Sequence, residues 1–202
     1  IRILAEIGTT VTFLTALKHM PLANVTAILQ SLPLAITMAA AIFLGEPVGW
    51  RRWSAICVGF TGVLIIIRPG LAGFNSYSLL ALAAVILLTV REISTRQLDN
   101  KIPTVTVALS TTLGITAFAA LMLIGTEWVD INFASWSLII AAAAAVTVAT
   151  LLSVVAMRTG DIGFVSPFRY TSLIGAIGLG ILLFGDWPDG LTLLGAAIIA
   201  FA

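Results

Sequence analysis

Arg169 is the residue whose type and place most invite chemistry. It stands in Ser166-Pro167-Phe168-Arg169-Tyr170-Thr171, inside a stretch that is otherwise apolar over about residues 162–184. A charge held inside a membrane-spanning helix costs about 2.5–3.5 kcal/mol on insertion scales, so such a residue faces a cavity or a partner. Pro167 has no N–H to donate and frees a carbonyl beside it. A guanidinium so placed can receive a carboxylate or another anionic group, with Tyr170 and Ser166 adding hydroxyls. The competing reading is that Arg169, only about seven residues into its segment, snorkels to the membrane interface.

A second polar set lies on the stretch 22–44: Asn24, Thr26, Gln30 and Ser31, with Pro33 next. Asn24, Ala27 and Ser31 share a helical face by their spacing. The set either lines the wall of a binding cavity opposite Arg169 or joins helices through hydrogen bonds. Glu6, followed by Thr9, Thr10 and Thr12, either serves as a proton-coupling carboxylate within the membrane or sits at its interface. His19 reads as a solvated turn residue. Glu92 and Arg96, four apart, read as a surface pair, and Arg91 beside them as an interfacial anchor or a gate.

The chain that must position these residues is 60% hydrophobic and 9% charged over 202 residues, with a mean hydropathy of +1.14. Soluble domains carry about 25% charged residues, so the composition points to a helical integral membrane protein. A net charge of +1 offers no basic patch for nucleic acid. One His and one Cys exclude a His/Cys metal cluster. Cys57, the lone cysteine, reads as a small buried apolar residue. There is no phosphate-binding P-loop, no HExxH and no G-x-S-x-G, so no ATPase, metalloenzyme or serine-hydrolase chemistry has a motif, and no cofactor is expected.

Eight apolar segments follow one another, at about 1–18, 22–44, 52–67, 77–93, 104–124, 136–157, 162–184 and from 188 onward. Pro and Gly mark the short connections. If Ile1 is cytoplasmic, the alternating loops place Arg2, Arg51, Arg52, Arg91, Arg96, Lys101 and Arg158 inside and only Lys18 and Arg68 outside. Seven against two favours that orientation. Ala16-Leu17-Lys18 and Leu44-Gly45-Glu46 are echoed by Ala156-Met157-Arg158 and Phe184-Gly185-Asp186, each 140 positions on (158−18, 185−45). Five crossings separate Lys18 from Arg158, so the second copy runs inverted, as in alternating-access carriers. Gly175, Ala176, Gly178 and Gly180, and Ala141 to Ala145, are small enough to bring helices close.

The run Ala16 to Ala23, then Leu44-Gly45-Glu46, Trp50-Arg51-Arg52-Trp53, Gly59, Gly62 and Arg68-Pro69-Gly70, resembles the first repeat of the drug/metabolite transporter superfamily, EamA-like branch. Arg169-Tyr170 and Phe184-Gly185-Asp186-Trp187-Pro188 resemble the second. The chain departs from the family pattern at His19, where an aromatic Tyr is common, and at Asp186, where Glu is common. The resemblance implies an all-α polytopic protein of two inverted five-helix repeats, eight crossings of which are present here. Residues 1–70 would end the first repeat, and 71–202 would form the second with its last crossing incomplete. It implies a multi-pass carrier of the bacterial inner membrane that exports or exchanges a small organic metabolite, an amino acid or related compound. Its partners would be that small-molecule substrate and the lipid bilayer. A channel or a non-transport scaffold is the competing class; the sparse polar content, interrupted by prolines, offers little pore lining.

Overall fold

The computed structural model describes residues 1–69, 75–99, 101–124, 132–159, 171–185 and 187–201, and every regular element among them is helical. They are α1 (Arg2–His19), α2 (Leu22–Leu29), α3 (Leu32–Phe43), α4 (Trp50–Ile67), α5 (Ser78–Arg96), α6 (Thr104–Met122), α7 (Phe133–Thr159), α8 (Thr171–Leu179, continuing as a π-helical turn over Gly180–Phe184) and α9 (Gly190–Phe201). Five stretches are long and apolar enough to cross a membrane: 22–43, 50–67, 78–96, 104–122 and 135–156.

The first of these is broken. Pro33 cannot donate to the Leu29 carbonyl, so the ladder lapses there. Gln30 and Ser31 instead close tight turns, the Ser31 N–H bonding Ile28 O at 3.0 Å. The expected face shared by Asn24 and Ser31 is therefore divided between two helices.

Hydroxyls inside the apolar phase must find acceptors, and here they bond their own helix one turn back. Thr10, Thr12, Thr15, Thr37, Thr89 and Thr111 all do so at 2.7–2.9 Å. Side-chain acceptors cap helix starts. Asn132 Oδ1 takes the Ser135 N–H at 2.8 Å, and Asp189 Oδ1 takes the Thr192 N–H at 3.2 Å.

The core lies among α2, α3, α4, α5 and α9, built on Val25, Ile28, Ile36, Val63, Val85 and Ile199. α1 runs antiparallel to α5, and α4 antiparallel to α9. The α4–α9 crossing is glycine on glycine: a Cβ on Gly62 would stand 2.7 Å from the Gly195 carbonyl oxygen. Close packing of small residues is what holds helices together in lipid, where burial supplies little drive. The other small-residue stretches do not serve this way. A Cβ on Gly175 or Gly178 meets nothing within 4 Å, and Ala141 to Ala145 are exposed. Cys57 is also exposed on α4 rather than buried. α6 and α7 turn large apolar side chains outward, such as Leu113, Leu138 and Ile140, a surface suited to lipid rather than water.

Ion pairs and ring stacking sort the helix ends into two sets. Arg96, at the end of α5, pairs with Glu46, just past α3, at 2.6 Å. At the other end Arg68, just past α4, pairs with Asp189, which caps α9. His19 at the end of α1 stacks on Tyr77 before α5, ring centroids 3.9 Å apart. The consequence is testable. With Cys57→Ala as background, single cysteines at Asp99 and Ser76 should label from opposite sides of the membrane, Asp99 from the cytoplasm. Labelling of both from one side would exclude this arrangement.

Candidate functional site

Four charged side chains meet where α1, α5, α6 and α7 approach. Arg91 lies in the last turns of α5, with its side chain 16% exposed. Its Nη1 donates to Glu6 Oε2 of α1 at 2.7 Å and its Nη2 to Glu92 Oε1 at 2.5 Å. Glu92 is 2% exposed, and Ser153 of α7 also donates to its Oε1, at 3.4 Å. One turn nearer the end, Arg2 Nε donates to Thr95 Oγ1 at 2.7 Å, while its Nη1 donates to Thr111 Oγ1 and to the Val107 carbonyl. Thr95 in turn donates to the Arg91 carbonyl at 2.7 Å.

This corrects two expectations. Arg91 is not an interfacial anchor; it joins α1 to α5. Glu92 and Arg96 are not a surface pair, because Glu92 turns to Arg91 and Arg96 reaches Glu46. The antiparallel packing of α1 on α5 decides both, setting Arg2 against Thr95, Glu6 against Arg91 and Gly8 against Leu87. Two adjacent charges, Arg91 and Glu92, in an apolar span are the signal in the sequence that pointed here.

A cavity of about 470 Å³ opens beside the cluster, lined by Arg2, Ser94, Gln97, Thr106, Ser110 and Thr111. An apolar one of about 660 Å³ lies between α3, α4 and α5, lined by Met38, Phe43, Phe60, Val85 and Thr89 among others.

The other candidate residues lie apart from the cluster. Asn24 lines a cavity of about 130 Å³ at the opposite end of the bundle, with Arg68, Asn75 and Ser78. Gln30 and Ser31 are buried at the break between α2 and α3, where Ser31 Oγ donates to the Ile28 carbonyl at 2.7 Å. Ser166, Arg169 and Tyr170 lie outside the described residues. Among the described residues no three His, Cys, Asp or Glu side chains stand together as metal ligands.

Gly45 and Gly185, the glycines of the sequence echo, adopt the same left-handed backbone, φ 68° and 69°. An L side chain is strained there. They stand at opposite ends of the bundle, Gly45 next to Glu46 and Gly185 four residues before Asp189.

Residues 3–68 match the model of the EamA-like transporter family. The chain is 31% identical to a riboflavin transporter of Vibrio cholerae over 87% of this chain and 59% of that protein. It is 26% identical to an S-adenosylmethionine uptake transporter of Rickettsia bellii over 89% and 61%. To a pseudopaline exporter of Pseudomonas aeruginosa it is 23% identical over 95% and 68%. It thus spans about three fifths of the length of the first two. A crystal structure of a protein 22% identical in sequence has the same fold, with a TM-score of 0.72 over 96% of this chain and 71% of that one. With the motifs, the helical architecture and these relatives in agreement, the chain belongs to the EamA-like transporters of the drug/metabolite transporter superfamily.

Proposed function

We propose that the protein is a secondary carrier that moves a small organic metabolite, an amino acid or related compound, across the bacterial inner membrane by alternating access, as an exporter or exchanger. Residues 1–70 would close one five-helix repeat and 71–202 form its inverted counterpart. The observation that carries the reading is the placement of the ion pairs. Glu6–Arg91 and Glu46–Arg96 join the two parts at one end of the bundle, and Arg68–Asp189 joins them at the other. A broken helix lies between the ends, a feature of carriers whose substrate sits at mid-membrane. The left-handed glycines at opposite ends support the inversion. Relatives named for uptake and for export resemble the chain about equally, so direction rests on the chemistry of this protein alone.

Exchange across proteoliposomes tests the carrier. Unlabelled substrate on the far side should accelerate entry of labelled substrate, with riboflavin, S-adenosylmethionine and an amino-acid mixture as probes. Flux that rises linearly with concentration and shows no such acceleration would make it a channel.

The proposed substrate site joins Arg169, Tyr170 and Ser166 to Asn24, Gln30 and Ser31. Arg169→Ala should weaken binding by about 10- to 100-fold, the equivalent of ~1.5–3 kcal/mol for a charge-assisted hydrogen bond. Arg169→Lys should keep part of it, since the charge stays while the planar fork is lost. Unchanged affinity in purified Arg169→Ala would remove the residue from the site.

A further inference from the structure

Arg91 divides its fork between two acids. Nη1 serves Glu6 and Nη2 serves Glu92, while Nε has no hydrogen-bond partner among the described residues. A bidentate arginine saturates one carboxylate; a divided one leaves two sharing a single cation. Water does little to relieve this, since the side chains of Glu6, Arg91 and Glu92 are 17%, 16% and 2% exposed.

The surrounding elements bring no second cation to these oxygens among the described residues. From α1 comes Arg2, whose N–H groups go to Thr95, Thr111 and the Val107 carbonyl. From α6 comes the hydroxyl of Thr111, and from α7 that of Ser153. Arg96 is held by Glu46 nearer the end. A turn along α1 from Glu6, toward the middle of the bundle, Thr9 is 8% exposed and its Oγ1 has no partner among the described residues. A hydroxyl left unsatisfied next to an acid pair marks a place for a further polar ligand.

We infer that Glu6 and Glu92, divided over Arg91, form a proton-binding site, and that filling it releases the Glu6–Arg91 bridge holding α1 to α5. Two carboxylates this strongly coupled take up a proton as a pair. A hydronium ion at the near end gives its proton to Glu6, the more exposed of the two, and leaves as water. Glu6 becomes a neutral acid, and Arg91 keeps a one-to-one ion pair with Glu92. The Glu6–Arg91 bridge ties residues 1–70 to 71–202, so proton occupancy acts on one end of the bundle. That consequence rests on the carrier reading; the proton site itself does not.

Infrared difference spectroscopy on the purified protein reads the proton without any substrate. The expected result is a protonated-carboxyl band that grows as pH falls through the neutral range. It should be lost in both Glu6→Gln and Glu92→Gln, because each leaves one carboxylate to one arginine, and kept in Glu46→Gln. No such band in the wild type, or its survival in either variant, overturns the inference. If a variant fails to fold, the wild-type spectrum still decides. In proteoliposomes with the same probes, an imposed pH gradient should drive accumulation, and the ratio of that accumulation to equal-pH exchange should fall to the no-gradient level in Glu6→Gln. Wild-type exchange indifferent to the gradient overturns the role of the site in transport. No exchange at all removes the carrier reading and leaves the spectroscopic result standing.

Discussion

Replacing Arg91 by leucine is expected to destabilise the folded bundle by about 3–5 kcal/mol, the range found when one member of a buried ion pair is removed. Leucine keeps much of the packing volume but strands two carboxylates, Glu6 and Glu92, in a region that excludes water. The stranded charges, rather than the missing attraction, carry the cost. The expected order follows from that source. Arg91→Lys should fall between, since one ammonium cannot face both acids as the divided fork does. The triple variant Glu6→Gln, Arg91→Leu, Glu92→Gln should recover most of the stability, because no buried charge remains. Thermal unfolding of detergent-purified variants measures the series. If Arg91→Leu melts with the wild type, the cluster contributes no such energy. If the triple variant melts no higher than Arg91→Leu, the destabilisation comes from packing and not from charge.

That cluster shows where reading a sequence of this kind stops. The spans were legible because lipid demands long apolar runs, and their ends carry Pro, Gly, Arg and Trp. The break before α3 was legible in Pro33, and the two helix-ending glycines in their equal spacing. Partner choice was not. Glu6 and Arg91 are 85 positions apart, and only the packing of α1 on α5 makes them neighbours. Local spacing suggested Glu92 with Arg96, yet each found a partner elsewhere. The same holds for small residues. A stretch of alanines says that helices can come close, and the structure placed the close approach at Gly62 and Gly195 instead. Cys57 faces outward because lipid, unlike water, sets no penalty on an apolar residue at the surface. Of the proposed substrate residues, the described part of the chain divides Asn24 from Gln30 and Ser31.

The glycine crossing carries the second large effect. A Cβ on Gly62 would lie 2.7 Å from the Gly195 carbonyl oxygen and 2.9 Å from Ile199 Cγ1; one on Gly195 would lie 2.6 Å from both the Gly62 carbonyl oxygen and Ile66 Cγ1. A flexible side chain can swing aside from such an approach, but a helical carbonyl cannot. The whole of α9 would have to move off α4, taking Ile199, which is fully buried, out of its packing. Overpacking typically costs about 1–3 kcal/mol, and with backbone as the obstacle Gly62→Val and Gly195→Val should fall at the upper end, about 3 kcal/mol. Gly62→Ala should cost less but remain clearly destabilising. Gly178→Ala is the control, since a methyl there meets nothing within 4 Å. The Arg68–Asp189 pair at the end of the same two helices extends the test. If α9 shifts, a disulfide between cysteines placed at those two positions should form more slowly in Gly62→Ala than in the parent. Equal melting of Gly62→Ala and Gly178→Ala would mean that α4 and α9 do not meet at these glycines.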